Sequence, residues 1–349
     1  MLEKTEILSL VLLLSGWLPA GCGDYSNPQL QQDLEFLSAI PAKRYLELRV
    51  ADSQPRQLDE QQAGLSRRSD AVLGDPATYF VASRLVTGDV NRGVLGFLEL
   101  VDRITHLVPP TLRQPTRRVW GPWPAEDDPG VAMRFVMEKG QPGEFFFDFQ
   151  LRPEALAADS DFDENWTSCI AGRVEPRGAF RRGVGEMDIL LGQCAEVTGS
   201  GEAGSAAVDF DTAPDDANPD GKTELTIDFV AFLTRDMIAD GDQALDAEYS
   251  FFEAGDRSGA FDFTSRADVH EGEPGLEARE QWDWRVRWAA DGCGRADVRL
   301  SGGDLGQLEV LLSECWDSEQ GRVYYGDNAS LAETEGDPAD CCLAPAAFD

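Results

Sequence analysis

The chain has 349 residues and carries 64 acidic against 30 basic side chains, a formal net charge of −34. That excess excludes a nucleic-acid-binding protein, because phosphate binding needs a basic surface, and it disfavours direct contact with anionic lipid headgroups. With 42% hydrophobic residues the chain is too apolar for a disordered acidic protein, so a packed core is expected.

The N-terminal segment carries the most specific pattern. An apolar run, Ile7 to Leu14, is followed by Leu-Pro-Ala-Gly-Cys-Gly at residues 18–23. Small residues before a cysteine at this place resemble the lipobox of bacterial lipoprotein signal peptides, which implies a signal peptide over residues 1–21 and an acylated Cys22. A secretory signal cut near Ala20 is the alternative. A membrane span is disfavoured, because about twelve apolar residues fall short of the roughly 20 that cross a bilayer.

Residues 22–115 are predicted to be helical. Asn27 before Pro28 is a typical helix start, and Leu30, Leu34 and Leu37 then form an apolar stripe. Asp75 and Pro76 repeat the start signal for a helix that closes at Gly88. A third helix is predicted over residues 91–107, with one apolar face: Val94, Phe97, Leu98, Val101 and Ile104.

Residues 116–349 change to the period of two that is typical of strands. A hairpin is predicted from residues 131–137 and 145–151, and residues 282–288 place every apolar side chain on one face and every charged one on the other. Further strands are predicted at residues 208–211, 223–229, 248–252, 260–264, 295–301 and 307–313.

These elements predict an α+β fold in which N-terminal helices pack on a large, curved antiparallel sheet, as a meander or half-barrel, within one domain. The N-terminal helices would cover an aromatic stripe on one face of the sheet. The stripe consists of Trp282, Trp284, Trp288, Phe145, Phe147 and Phe149. The stripe is either the core or the lining of a pocket for an apolar ligand, since both use the same residue types.

An acidic segment matches the first half of a calcium loop. Asp216, Asn218 and Asp220 precede Gly221 in the pattern D-x-N-x-D-G, which places oxygen ligands at alternate positions. The twelfth position is Ile227 instead of the expected glutamate. The alternative is an acidic hairpin turn, because Asn, Asp, Pro and Gly are also common turn residues. No other cofactor is predicted.

Six cysteines besides Cys22 indicate disulfides in an exported chain: Cys169, Cys194, Cys293, Cys315, Cys341 and Cys342. We expect Cys169 to pair with Cys194 between neighbouring strands. Cys315 should pair with Cys341 or Cys342 and tie the C-terminal tail to the sheet. A bond between Cys341 and Cys342 would be strained. Zinc is disfavoured because no C-x-x-C occurs.

Several short segments resemble a family of uncharacterised, myxobacterial-type bacterial lipoproteins. They are Trp120-Gly-Pro-Trp123, Gly292 to Asp297 with Gly302 to Asp304, and Ser313 to Asp317 followed by Tyr324-Tyr325. The resemblance covers most of the chain and implies no activity. A second likeness, of architecture alone, is to the LolA/LolB-like half-barrels that hold acyl chains.

The sequence therefore predicts a lipid-anchored cell-envelope protein of the outer membrane of a Gram-negative bacterium, with a non-enzymatic structural or binding role. It would contact the membrane through the lipid on Cys22, and its protein partner or ligand is not specified. A carrier of an apolar ligand or lipid on the concave face of the sheet is the alternative. An envelope hydrolase comes third, because the chain has neither a G-x-S-x-G nor an H-E-x-x-H motif.

Overall fold

A computed structural model describes residues 27–51, 73–125, 128–156, 162–219, 221–241, 243–268, 275–328 and 334–348; for residues 27–30, 106 and 107 it describes the backbone alone. Cys22, the predicted signal peptide, Asp220 and His270 lie outside these ranges. Among the described residues, none forms a helix that is both long and apolar enough to span a membrane.

The described residues form a large antiparallel sheet with several helices. The helices are α1 (Asn27–Ala39), α2 (Lys43–Leu46), α3 (Thr78–Gly93), α4 (Gly96–Leu107), α5 (Leu191–Thr198) and α6 (Arg235–Asp240). The strands are β1 (Leu112–Gln114), β2 (Arg117–Pro124), β3 (Val131–Lys139), β4 (Phe145–Pro153), β5 (Thr167–Pro176), β6 (Gly183–Ile189), β7 (Ala203–Asp211), β8 (Thr223–Leu233), β9 (Leu245–Glu253), β10 (Gly259–Ala267), β11 (Glu280–Trp288), β12 (Gly294–Ser301), β13 (Glu309–Trp316), β14 (Arg322–Asp327) and β15 (Thr334–Gly336).

The order of the strands in the sheet is their order in the sequence, from β1 to β15, with each strand hydrogen-bonded to the next. Such a meander confirms the predicted architecture of short turns between antiparallel strands. The predicted hairpin is present as β3 and β4, with Phe135 opposite Phe149 and Met137 opposite Phe147.

The chain forms two compact units, and each contains helices and strands. The first comprises the described residues of Met1–Lys43, Gly96–Asp209 and Phe229–Leu245, and the second those of Arg44–Leu95, Phe210–Asp228 and Asp246–Asp349. The predicted division into helices over residues 22–115 and a sheet over residues 116–349, packed as one domain, stays a prediction.

In the first unit, α4 packs on the sheet through the apolar face that the sequence predicts. Phe97 contacts the rings of Phe135, Phe147 and Phe149, with centroids 5.9–6.3 Å apart. Its neighbours Leu98, Val101 and Ile104 are buried as well. The helix begins at Gly96 instead of Asn91, because α3 continues past Gly88 to Gly93.

The stripe predicted for α1 is wrong in its details. Leu34 is 45% exposed, and the side chain of Leu30 is outside the described residues. The buried positions are instead Asp33, Phe36 and Ala39. Asp33 lies 2.6 Å from the buried Arg118 guanidinium, which also covers the Phe36 ring. Asp33 can be buried because Arg118 neutralises its charge. A prediction from the spacing of apolar residues does not find such a buried ion pair.

In the second unit, β11 confirms the predicted register in part. Trp284, Val286 and Trp288 are buried and Trp282 is half-buried, as expected for the apolar face. Asp283, on the opposite face, is only 2% exposed, so the charged face of this strand is not simply in contact with water. Its carboxylate accepts hydrogen bonds from Arg299 at 2.6 Å and Thr264 at 3.1 Å.

These contacts give Asp283 a measurable effect on acid stability. Burial opposes its charged form, but the hydrogen bonds from Gln281, Arg299 and Thr264 outweigh it and hold the pKa of the carboxyl below the usual value. A carboxyl with a lowered folded pKa stabilises the fold above its unfolded pKa of about 3.9 and loses that contribution as the pH falls through the folded pKa.

Asp283→Ala is expected to cost about 1–3 kcal/mol at neutral pH, because it removes the carboxylate that accepts hydrogen bonds from Arg299 Nε and Nη2. The neighbouring Arg285→Ala is the control and should stay within about 0.5 kcal/mol, since its salt bridge with Asp262 is 3.4 Å long and both side chains are partly exposed, at 25% and 24%. Urea unfolding at pH 7 and pH 3 measures both. Two results would contradict this account of Asp283. One is an equal loss of unfolding free energy in both variants at pH 7, and the other is a loss in Asp283→Ala that is as large at pH 3 as at pH 7.

Candidate functional site

Each of the aromatic residues predicted as a ligand lining belongs to the packing of one unit. Phe145, Phe147 and Phe149 lie in the first unit, where Phe36 contacts Phe145 and Phe97 contacts the other two. The three tryptophans lie in the second unit, where Trp284 contacts Tyr79 and Phe261, and Trp288 contacts Phe251. The structure therefore assigns most of this stripe to core packing.

A buried acidic group anchors α3 to the sheet in the second unit. Glu314 on β13 is 0% exposed, and its carboxylate accepts hydrogen bonds from the backbone N–H groups of Thr78 at 2.9 Å and Tyr79 at 2.6 Å. These are free donors of the first helical turn, and residue 77, an alanine, provides no side-chain cap. Glu314 thus caps α3 from a strand more than 230 residues later in the chain.

Arg322 on β14 completes this cap. Its Nε lies 2.7 Å from Glu314, its Nη2 donates to the Thr78 hydroxyl, and its guanidinium covers the Tyr325 ring. Burial raises the pKa of the Glu314 carboxyl, while Arg322 and the helix amides act in the opposite direction. The sequence contains a signal for this group: a glutamate between the apolar positions Leu312 and Trp316 on a strand of period two.

Several polar atoms in the second unit have no hydrogen-bond partner among the described residues. They are Tyr249 Oη, Trp282 Nε1, Trp284 Nε1 and Arg84 Nη1, and each atom is enclosed. Tyr249 is 2% and Trp284 5% exposed, and burial raises the pKa of the Tyr249 hydroxyl. Buried donors are nearly always paired, so four in one unit are an unusual concentration.

A different buried polar arrangement occurs in the first unit. The Trp166 indole lies between the guanidinium groups of Arg134 and Arg152, each 4.3 Å from the ring centroid. Arg134 also donates to the Phe162 carbonyl at 2.7 Å and to Asp163 at 3.1 Å. These contacts hold the loop of residues 162–166 on the sheet, and they account for the burial of both arginines by cation–π stacking and hydrogen bonds.

The segment predicted as a calcium loop is a hydrogen-bonded turn. The Asp215 carboxylate accepts hydrogen bonds from the backbone N–H groups of Ala217 and Asn218, and the Asn218 bond lowers the pKa of Asp215. The Asn218 amide oxygen accepts from Gly255 N–H at 3.1 Å. Asp216 is exposed.

Lys222 neutralises part of this turn, with its ammonium 3.0 Å from Asp211 and 2.9 Å from Glu224. Within the described ranges, no three His, Cys, Asp or Glu side chains are grouped so as to hold a metal. Calcium binding by Asp216, Asn218 and Asp220 stays a prediction, while the alternative of an acidic turn explains the contacts of Asp215 and Asn218.

All six described cysteines are paired. Cys169 bonds Cys194 in the first unit, as predicted, although Cys194 lies on α5 instead of a strand. In the second unit Cys315 bonds Cys341, and Cys293 bonds Cys342. The two neighbouring cysteines of the tail are therefore bonded to different places, one to β13 and the other to the residue just before β12.

The two bonds fix the tail against the charged face of β12. Backbone N–H of Ala346 donates to Asp297 at 2.9 Å, and the Phe348 ring lies under the Arg299 guanidinium. The sequence predicted the bond of Cys315 to one of the tail cysteines but left the partner of Cys293 open.

Comparisons with known proteins supply no further identification. No protein-family model, no curated protein and no solved structure matches this chain. The likeness to myxobacterial-type lipoproteins and the half-barrel analogy therefore stay predictions.

Proposed function

We propose that the chain is a lipid-anchored protein of the bacterial outer membrane with a non-enzymatic structural or binding role. The observation that carries the proposal is the complete pairing of the six cysteines other than Cys22. Disulfides persist in oxidising compartments such as the periplasm, so this pairing supports export. It also leaves Cys22 as the one cysteine for the lipid that the lipobox resemblance implies.

The tether would be short. Only Gly23 to Ser26 separate Cys22 from Asn27, the first residue of α1. An extended chain covers at most about 3.6 Å per residue, which places the start of α1 within roughly 20 Å of the lipid. A short tether favours a protein that acts at the membrane surface over one that shuttles between membranes.

A second candidate is a carrier of an apolar ligand, on a curved sheet with helices in its concavity. Four of the six aromatic side chains of the stripe are buried, which counts against a wide acyl-chain pocket. They are Phe145, Phe147, Trp284 and Trp288. The unpaired Tyr249, Trp282 and Trp284 donors, which share one face of the sheet, are the observation that favours a smaller ligand.

The anchor is tested by Cys22→Ser. We expect wild-type protein to sediment with membranes and to need detergent for release, because three acyl chains exceed the two signals that anchor a protein stably. The variant should appear in the soluble fraction, and mass spectrometry of the wild-type N-terminal peptide should show an acylated Cys22.

Cys342→Ser is the matched control, since it makes the same exchange at a cysteine assigned to a disulfide. It should stay with the membranes. If Cys22→Ser still requires detergent for release, the protein is anchored elsewhere and the proposal is wrong.

A further inference from the structure

The hairpin between β5 and β6 in the first unit ends in a basic tip. Residues 177–182 read Arg-Gly-Ala-Phe-Arg-Arg, with three arginines and no acidic residue. In the whole chain acidic residues outnumber basic ones by 64 to 30. The tip is therefore a local exception to the net charge that disfavours contact with anionic headgroups.

An aromatic side chain projects from this tip. Phe180 is 63% exposed, more than any other aromatic side chain among the described residues. Contact between so large an apolar surface and water is unfavourable, and the fold does not bury it. Because single exposed apolar residues are common on proteins, the argument depends on how Phe180 is held and on what lies beside it.

Backbone hydrogen bonds fix the shape of the tip. The N–H of Arg177 donates to the carbonyl of Arg182 at 3.0 Å, and the N–H of Arg182 donates to the carbonyl of Ala179 at 3.3 Å. Arg181 has a φ of 58°, a left-handed conformation that is unfavourable for a residue with a side chain. Such a conformation persists only where the surrounding contacts hold it.

Those contacts come from the end of α1 and from α4. The Arg181 carbonyl accepts a hydrogen bond from Ala42 N–H at 3.1 Å, and its Nε donates to the Ile40 carbonyl at 3.2 Å. The guanidinium also pairs with Asp102 on α4. Arg181 thus supports the tip from the inside, while Phe180 is presented to the outside on a fixed turn.

Arg177 lies on the outside as well. Its side chain is 56% exposed, and its Nη2 is 2.6 Å from the carboxylate of Glu175, which is itself partly exposed. An ion pair in water contributes little, so a phosphate can replace Glu175 as the partner of this guanidinium. An exposed aromatic ring and an exposed arginine therefore occur together on one rigid turn.

The tip lies within reach of the predicted lipid anchor. Ile40 directly follows α1, whose 13 residues make it about 20 Å long. The tether of Gly23 to Ser26 keeps the start of α1 within roughly 20 Å of the lipid on Cys22. A bilayer that holds the lipid can therefore contact the tip when α1 lies along the membrane surface.

The exposed side of α1 suits that orientation. Its exposed side chains, among those that the structure describes, are Gln31, Gln32, Leu34 and Glu35. Glu35 is the only charged one, and its carboxylate lies 2.6 Å from the Lys139 ammonium. The helix therefore brings no unneutralised carboxylate to the headgroups.

We propose that the tip of the β5–β6 hairpin inserts Phe180 into the interface of an anionic phospholipid bilayer, with Arg177 on the headgroup phosphates. Apolar rings beside basic residues are typical of segments that lie in this interface. The proposal deepens the binding role given above and rests on the anchor at Cys22. One ring and one arginine bind a bilayer weakly, and the tether supplies the local concentration that makes the contact lasting.

The test replaces the acyl chains by an artificial tether. The chain from residue 22 onward, which includes every described residue, carries Cys22→Ser and a histidine tag in front of it. The tag holds the protein on vesicles that contain a nickel-chelating lipid. Because the six described cysteines are paired, Ala179→Cys introduces the one free thiol, which is labelled with an environment-sensitive fluorophore.

Two vesicle compositions are compared. On phosphatidylglycerol and phosphatidylcholine in equal parts, the fluorophore emission should move to shorter wavelength, and a nitroxide-labelled lipid should quench it. On phosphatidylcholine alone both effects should be smaller by half or more, because the attraction of the arginine to the surface is lost. High salt should reduce the response on the anionic vesicles in the same way.

Variants in the labelled chain show which side chains are responsible. Phe180→Ser should remove most of the quenching, and Arg177→Gln should lower the response on anionic vesicles to that on phosphatidylcholine. Val230→Ser is the matched control, since Val230 is a similarly exposed apolar residue of the same unit, at 59%, and should change nothing. All three side chains are exposed, so the melting temperatures in solution should stay at the unsubstituted value.

Three outcomes would overturn the proposal. They are a fluorophore that stays in water on both vesicles while the protein floats with them, an equal response on the two compositions, and a Phe180→Ser variant that responds like Val230→Ser. Because the histidine tag replaces the acyl chains, none of these results depends on the acylation of Cys22. Fractionation of Cys22→Ser tests the anchor separately, so the two proposals fail independently.

Discussion

Glu314→Ala is expected to lower the free energy of unfolding by about 3–5 kcal/mol, the usual cost of removing one partner of a buried ion pair. The loss has two sources. The Arg322 guanidinium, itself buried, would lose the carboxylate 2.7 Å from its Nε. The N–H groups of Thr78 and Tyr79 would lose their acceptor, and α3 would lose its cap.

Chemical denaturation with far-ultraviolet circular dichroism measures this loss. Glu309→Ala, at the exposed start of the same strand, is the matched control and should change stability by no more than about 0.5 kcal/mol. Glu314→Gln keeps an acceptor oxygen and should fall between the two. A loss below about 1 kcal/mol for Glu314→Ala would show that Arg322 has another acceptor and that α3 does not depend on this cap.

Removing the disulfide between Cys293 and Cys342, by changing both to serine, should lower the free energy of unfolding by about 4 kcal/mol. The bond joins residues 49 positions apart, and restricting a loop of that length reduces the entropy of the unfolded chain. The bond between Cys315 and Cys341 lies inside this loop, so its removal from a chain that keeps the Cys293–Cys342 bond should cost less than its own 26-residue separation implies.

The exchange of Cys169 and Cys194 for serine provides the comparison, because its 25-residue separation is similar to that of Cys315 and Cys341 but lies in the other unit. Urea titrations of the three double variants give the ranking. If the Cys293/Cys342 variant unfolds at the wild-type urea concentration, the tail is held by its other contacts, such as the Ala346–Asp297 hydrogen bond.

The sequence predicted those elements whose signal is local. The period of two at residues 282–288 identified β11, and the apolar face from Phe97 to Ile104 identified α4. Each pattern can be read from one segment, because the alternation of side chains is a property of that segment alone. Boundaries were less accurate, as with the start of α3 at Thr78, since Pro76 is engaged in a bridge to Gly321.

The residues that the sequence did not reveal depend on distant partners. The alternation of apolar and charged residues around Asp283 is the same whether its side chain faces water or is paired with Arg299. Its burial could therefore not be recognised from the sequence. The Cys293–Cys342 bond requires knowledge of which strand lies beside the tail. The unpaired Tyr249 and Trp284 donors come into one row, with Phe263 between them, only through the register of three strands.

The sequential strand order also determines how the chain can fold during synthesis. Every strand pairs with the one before it, so pairing needs few contacts between distant parts of the sequence, and low contact order favours rapid folding. A chain that is made from its N-terminus can therefore add one strand at a time. The helix cap at Thr78 is the exception, because α3 must wait for Glu314, and so the second unit is completed only after nearly the whole chain has been made.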